Sequence, residues 1–374
     1  MQTNRWSAAD RTAMAAALAL GRRGLGRVAP NPAVGCVILD AEGHVAGRGW
    51  TQPGGRPHAE TEALARAGDR ARGGTAYVTL EPCSHHGRTP PCADALIAAG
   101  VARVVAALMD PDDRVAGRGL ARLEAAGVQV DVGLGDREAR FDQAGFLMRI
   151  EEGRPLVALK SAMTLDGRIA AASGDSKWIT GPEARRQGHL LRARHDAILV
   201  GAGTARADDP RLDCRIPGLE AASPLRIVVD SRLGIDPGLD LVEAAAERPT
   251  WIFGREDAPA DRRAALEAAG VRVFAAPADA TGRVDLAAVL GLLAAEGVTR
   301  LLVEGGAAVA AALLGQGLVD RIHAFRAPFA LGADGLAAIG PLGLDRVRDA
   351  PRFIRREMSA ADDDGVELYA RVGA

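Results

Sequence analysis

The stretch from His58 to Cys92 constrains this chain more than any other: HAETEAL, a hydrophobic run, then TLEPCSHHGRTPPC. If its His-x-Glu and its two cysteines act together, segments of different kinds must deliver them to one point. Residues i and i+2 of a helix do not share a face. His58 and Glu60 can therefore converge only beyond the N-terminal end of the helix spelled by HAETEALARAG (58–68). Cys92 opens a second helix, 92–99, preceded by Pro90-Pro91 and closed by Gly100. Cys83 follows the strand TAYVTLE (75–81). Two helix starts and a strand end meeting at one point require a layered α/β arrangement.

The side chains gathered there suit a metal. A catalytic Zn²⁺ takes three protein ligands and keeps one position open. His58, Cys83 and Cys92 supply the three, for one Zn²⁺ per chain, and Glu60 remains to move protons. The partial positive charge at a helix N-terminus favours the Cys92 thiolate. Two thiolates and a neutral imidazole leave the ion formally neutral, so activation of water rests on the metal and on Glu60. A His-x-Glu followed by Pro-Cys and a further Cys is the pattern of zinc deaminases that act on amino-bearing bases. Plainer readings compete. A Cys83–Cys92 disulfide is sterically possible but wrong for a reducing compartment. A structural zinc site needs a fourth ligand, which His85 or His86 can supply. A helix-opening His and Glu without a metal is the usual fate of such a pair, but here all four elements stand in the required order.

Around this stretch, helical and strand-like segments alternate from residue 1 to 150. A helix at 7–23 with Ser7 and Asp10 at its start precedes strands at 33–39 and 44–50. After the 75–81 strand and the 92–99 helix come a strand at 103–109, a helix at 117–127, a strand at 128–134 and a closing helix at 136–150. This is the order of a three-layer α/β/α domain. EEGRP (151–155) is a polar boundary. From 155 to 374 the alternation restarts, with strands at 156–163, 196–204, 224–231, 250–254, 271–276 and 300–306. The 165–178 segment reads as a loop. Thr180, Pro182 and Glu183 read as a capping box that opens a helix over 180–194. RIHAFRAPF and the GVELYARV ending predict an antiparallel closing strand or hairpin.

Composition narrows the partners. A chain of 374 residues, 48% apolar and 25% charged, is globular and too long for one ordinary core. A net charge of −2 gives no basic field and 3% aromatic residues give no stacking platform, so no nucleic-acid partner is expected. Four cysteines are too few for a disulfide scaffold and point to the cytoplasm. Cys36 reads as core and His44 as a turn residue. MAAALAL imitates a signal peptide, but the run is short and Ser7 with Asp10 caps a helix there. No apolar run approaches the ~18 residues that span a membrane.

The second half is less explicit. It offers Lys160 at the end of a strand, an Arg-rich helix, and a strand running into Glu304-Gly305-Gly306. Glycines between strand and helix let backbone N–H groups approach a phosphate, although plain turns use them too. A full G-x-G-x-x-G fingerprint is missing, which disfavours a standard dinucleotide fold. Arg192, Arg206, Arg211 and Arg215 lie around Asp208-Asp209-Pro210, either as a solvated loop or as a clamp for a phosphate monoester.

PNPAVGCVI, HAE and EPCSHHGRTPPC resemble the deaminase half of the bifunctional riboflavin-biosynthesis deaminase/reductase family, whose expanded spacing between the cysteines this chain shares. LKSAMTLDGRIAAASGDSKWIT, LRARHDAILVGAGTARADDPRL and LLVEGG resemble its reductase half. The resemblance implies a cytidine-deaminase-like α/β/α domain over 1–150 and a dihydrofolate-reductase-like α/β domain over 155–374. It implies NADPH as the second cofactor, near Ala162, Trp178, Thr204, Asp208, Ser231, Gly306, Ala307 and Ala308. Asn31, Ser176, Arg192, Leu212, Arg215 and Glu304 would hold a small phosphoribosylaminopyrimidine, with His85, Gly87, Arg88 and Thr89 near its ring or ribose phosphate. Lys160 would stand near the reducing centre, or simply in a salt bridge. Where the family commonly has Pro, Ser or Thr after the Gly-Gly, this chain has Ala307-Ala308, so contact to the cofactor there falls to the backbone. The implied reactions are loss of the 2-amino group and reduction of the ribose to a ribityl chain, in a homo-oligomer (dimer or tetramer). Two competitors are a zinc deaminase of another base, such as a tRNA adenosine, and a non-catalytic zinc-stabilised nucleotide-binding module.

Overall fold

A computed structural model describes residues 5–85, 90–112 and 115–372. It divides into two compact units, Met1–Gly153 and Arg154–Ala374. The first runs α1 (Ala8–Gly21), β1 (Gly35–Leu39), β2 (Val45–Trp50), α2 (Ala59–Ala67), β3 (Thr75–Val78), α3 (Cys92–Ala98), β4 (Arg103–Ala106), α4 (Arg118–Ala125), β5 (Gln129–Val132) and α5 (Asp136–Glu151). The sheet order is β2-β1-β3-β4-β5, antiparallel through β2, β1 and β3 and parallel from β3 to β5. The reading of Ser7 holds: its hydroxyl accepts from Asp10 N at 3.0 Å while the Asp10 carboxylate accepts from Ser7 N at 2.8 Å.

Glycines in the strands decide how closely the helices approach. A Cβ at Gly35 would lie 1.9 Å from the Ala17 carbonyl oxygen of α1, and one at Gly49 would lie 2.1 Å from the Ala59 carbonyl oxygen of α2. Gly49 pairs with Cys36, the neighbour of Gly35, so the two glycines face opposite sides of the sheet. This puts α1 on one face and α2 on the other, and it seats the first turn of α2, with His58 and Glu60, directly on the sheet.

The second unit adds β6 (Leu156–Thr164), β7 (Arg168–Ala170), α6 (Pro182–Ala193), β8 (Ala197–Gly201), α7 (Ala202–Asp208), β9 (Leu225–Val229), α8 (Asp240–Glu243), β10 (Thr250–Arg255), α9 (Ala260–Ala268), β11 (Arg272–Ala276), α10 (Leu286–Ala295), β12 (Arg300–Glu304), α11 (Ala307–Gly315), β13 (Arg321–Ala327), β14 (Leu336–Ala337), β15 (Phe353–Ala361) and β16 (Asp364–Arg371). The main sheet runs β11-β10-β9-β8-β12-β6-β13-β16-β15, parallel as far as β13 and antiparallel beyond it. Alternate residues of the parallel strands feed two cores. Val157, Leu199 and Val303 pack with α10 and α11, whereas Ala158, Ile198 and Leu302 pack with α8 and α9 residues.

Several local expectations are corrected. The helix over 180–194 starts at Pro182 with Gly181, not Thr180, as its N-cap, and without a capping box. Proline forces its predecessor into extended backbone, and the Gly181 N–H that a capping-box Glu would take donates to Asp364 at 2.6 Å. Glu183 instead binds Arg186. The strand expected over 196–204 ends at Gly201, where α7 begins. Part of the 165–178 loop is β7, paired with β14. The closing strands are a hairpin whose first arm, β15, the sequence pattern did not reveal.

Candidate functional site

In the first unit His58 is the N-cap of α2, Cys92 is the first residue of α3, and Cys83 lies in the segment after β3. Their ligand atoms lie within 4.8 Å of one another. His58 Nδ1 is 3.3 Å from Cys92 Sγ and 3.7 Å from Cys83 Sγ, and the Cys92 backbone N–H donates to Cys83 Sγ at 3.3 Å. Both cysteines are free thiols, so the disulfide is not formed. His85 does not belong to the trio among the described residues, while His86, Gly87, Arg88 and Thr89 lie outside them. One imidazole and two soft sulfurs, with no fourth described ligand, fit a zinc ion with an open position.

Hydrogen bonding within the trio sets its protonation. The Cys92 thiol beside Cys83 holds the Cys83 thiol down to about 4 against the cost of burial, and the same bond, with burial, pushes Cys92 up. Glu60 is buried against Cys92, and burial pushes its carboxyl up to about 7. Such a carboxyl can both take and return a proton near neutrality. Asn31 packs on Gly55, where a Cβ would lie 1.8 Å from Asn31 Nδ2.

A residue that the sequence reading missed anchors this site. Glu81 is buried, and its two carboxylate oxygens accept from the backbone of Asp110 (3.2 Å), Gly117 (3.0 Å), Gly119 (2.9 Å) and Leu120 (3.3 Å). It pins the segment carrying Cys83 to the start of α4.

In the second unit a polar cluster forms where β6, β12 and α6 meet. Glu304 accepts from Arg192 Nε and Nη2, both at 2.8 Å, and Lys160 Nζ lies 3.7 Å from the Oε2 that Nη2 binds. Burial alone would raise the Glu304 carboxyl, but Arg192 and Lys160 outweigh it and hold it down to about 2. Arg192 also donates to the Asp213 carbonyl, which His189 meets at 3.1 Å. His189 was missed, although its i,i+3 spacing from Arg192 gives the two a shared helix face. Leu212 is buried beside this cluster in sequence, with a left-handed φ of 53°. The four arginines noted in the sequence do not form one clamp. Arg192 binds Glu304, Arg206 faces Asp230, and Arg211 and Arg215 both face Asp213.

At the carboxyl ends of β8, β9 and β12 lies a cavity of about 680 Å³ whose lining includes Thr204, Ser231, Gly306 and Ala308. Gly305 and Gly306 have φ of 84° and 85°, and a Cβ on Gly305 would meet Thr204 Cγ2 at 3.1 Å. Glycine here lets the start of α11 close over the cavity, where backbone N–H groups favour phosphate. The remaining expected residues are not part of this lining. Asp208 ends α7, Ala162 lies on β6, Ala307 opens α11, Ser176 is half-buried, and Trp178 is exposed with the Arg185 guanidinium 4.6 Å from its ring.

Comparison with known proteins accords with both halves. Residues 7–108 match the cytidine and deoxycytidylate deaminase zinc-binding region, and residues 155–364 match the RibD C-terminal domain. The riboflavin biosynthesis protein RibD of Escherichia coli (strain K12) is 44% identical over 95% of this chain and 97% of its own length. The solved structure of Acinetobacter baumannii RibD, 35% identical, superimposes with a TM-score of 0.87 over 97% of this chain and 99% of that one. A diaminohydroxyphosphoribosylaminopyrimidine deaminase/5-amino-6-(5-phosphoribosylamino)uracil reductase from Thermotoga maritima, 32% identical, does so with 0.84 over the same shares. With a zinc-deaminase half and a reductase half in one chain, and this likeness along nearly its whole length, the protein belongs to the RibD family of riboflavin-biosynthesis deaminase/reductases.

Proposed function

We propose that residues 1–150 deaminate and residues 155–374 reduce one small phosphoribosylaminopyrimidine in succession, with the site residues in the following roles. The convergence of His58, Cys83 and Cys92 beside buried Glu60 carries the reading. His58, Cys83 and Cys92 would hold a zinc ion there, which would supply the Lewis acidity that makes water a nucleophile at neutral pH. Glu60 takes the proton from the attacking water and returns protons to the ring nitrogen and to the departing ammonia, so the 2-amino group is replaced by oxygen. Asn31, with His85, Gly87, Arg88 and Thr89, holds the pyrimidine and its ribose phosphate.

In the reductase half, bound NADPH would supply the hydride that converts the ring-opened ribose to a ribityl chain. Ala162, Trp178, Thr204, Asp208, Ser231 and the 306–308 segment bind the cofactor. Ser176, Arg192, Leu212, Arg215 and Glu304 hold the substrate, and Lys160, beside Glu304, stands near the reacting centre. Positioning dominates such a hydride transfer, and the two-point Arg192–Glu304 bond supports that role. The protein acts in the cytoplasm as a homo-oligomer, and no helix of the described residues is long and apolar enough to cross a membrane.

The test gives purified protein the 2,5-diamino-6-ribosylamino-4(3H)-pyrimidinone 5′-phosphate and follows zinc content, ammonia and NADPH oxidation. One zinc per chain is expected, with NADPH consumed only after ammonia release. Glu60→Gln keeps its zinc while deamination falls by roughly 10²–10⁴-fold. Ammonia release without NADPH consumption would sink the reading of the second half.

A further inference from the structure

Four arginines from four segments line the cavity at the carboxyl ends of β8, β9 and β12: Arg206 of α7, Arg232 after β9, Arg262 in the first turn of α9 and Arg283 before α10. Two carboxylates oppose them. Asp279 is consumed by its own turn, accepting from Thr281 N (2.8 Å), Thr281 Oγ1 (2.7 Å) and Arg283 N (3.0 Å). Asp230 Oδ1 accepts from Arg232 N at 3.2 Å, while its buried Oδ2 lies 3.7 Å from Arg206 Nη1 and has no hydrogen-bond partner among the described residues. Arg232 and Arg262 thus have no carboxylate ion pair among the described residues, and Arg283 has only the charge of the turn-bound Asp279 nearby, in a chain whose net charge is −2.

Specific ties hold these segments together. Val284 N donates to Ser231 Oγ at 3.0 Å, and Arg262 Nη1 donates to the Arg232 carbonyl at 3.2 Å. Like charges held together this way repel one another until an anion joins them, and a guanidinium fork matches a phosphate monoester in charge and shape. Nucleotide-binding α/β folds tell the two nicotinamide cofactors apart by an acid that accepts the ribose 2′-hydroxyl or by an Arg that accepts the 2′-phosphate. Both kinds of group line this cavity, and its four arginines outnumber its two carboxylates.

We propose that Arg232, Arg262 and Arg283 bind the 2′-phosphate of NADPH and set its preference over NADH, while Asp230 Oδ2 accepts a neighbouring ribose hydroxyl. This rests on the reading of residues 155–374 as an NADPH-dependent reductase. Removing an arginine leaves Asp230 in place to accept the 2′-hydroxyl of NADH, so the variants move toward NADH rather than losing all nucleotide affinity.

The test measures dissociation constants of NADPH, NADH, adenosine 2′,5′-bisphosphate and ADP by titration calorimetry on the full zinc-loaded chain and on Arg232→Ala, Arg262→Ala, Arg283→Ala and Arg232→Lys. Each alanine variant is expected to bind the two 2′-phosphorylated ligands about tenfold or more weakly, NADH and ADP within about twofold of wild type, with the lysine variant between. Unchanged melting of each variant checks that it is folded. Equal weakening of all four ligands, or no weakening in any variant, overturns the proposal and leaves the reductase reading standing. A wild-type chain that binds neither NADPH nor NADH sinks that reading, and this one with it.

Discussion

At the scale of single residues, Glu304 shows how a buried charge ties stability to pH. Its folded carboxyl sits at about 2, below its ordinary 4.5, because Arg192 and Lys160 hold it ionised. A depressed carboxyl contributes stability that is fully present above its ordinary value and is lost as pH falls from about 4.5 toward about 2. Glu304→Gln leaves buried Arg192 without its counter-charge, at a cost of about 3–5 kcal/mol near neutrality. Acid-unfolding curves of wild type and variant should therefore differ most at neutral pH and converge as pH approaches 2. Parallel curves across that range would refute this account. The Arg192–Glu304 pair was not legible as a pair, because its members stand 112 positions apart. His58, Glu60, Cys83 and Cys92 were legible because their type and order are local and chemically demanding.

At the scale of elements, what the sequence hid is mostly what distant segments supply. Ser7 was readable as a cap because Asp10, its partner, is three residues away. Thr180 misled because the group that fixes the start of α6 is Asp364, 183 positions beyond Gly181. β15 escaped notice because FIRREMSAA is an exposed edge strand with little apolar alternation to betray it. Glu81 belongs to the same class, since its four backbone partners lie 29 to 39 residues downstream. Glu81→Ala strips those N–H groups of their acceptor, at about 1–3 kcal/mol for each one left buried. It also frees the segment that carries Cys83. Zinc should then pass to a chromophoric chelator faster than from wild type, with the first unit melting earlier. Glu81→Gln, keeping one acceptor oxygen, should fall between the two. A zinc release rate unchanged in Glu81→Ala would show that Cys83 is positioned without it.

At the scale of the whole molecule, each unit closes its own core, one around β1, β3 and β4 and the other around the parallel strands of the larger sheet. The ligands divide in the same way, since the metal trio lies in the first unit and the arginine-lined cavity in the second. A ligand that binds only a folded unit stabilises that unit. Calorimetry should therefore resolve two transitions that answer to different additions. Removing zinc with a chelator lowers the first unit's transition by about 2–4 °C for each kcal/mol of binding energy lost and leaves the other in place. NADPH at a hundred times its dissociation constant stabilises the second unit by about 2.7 kcal/mol and leaves the zinc-dependent transition where it was. If the chelator and the nucleotide instead moved one common transition, the two units would not unfold independently, and the separate cores would not be separate in energy.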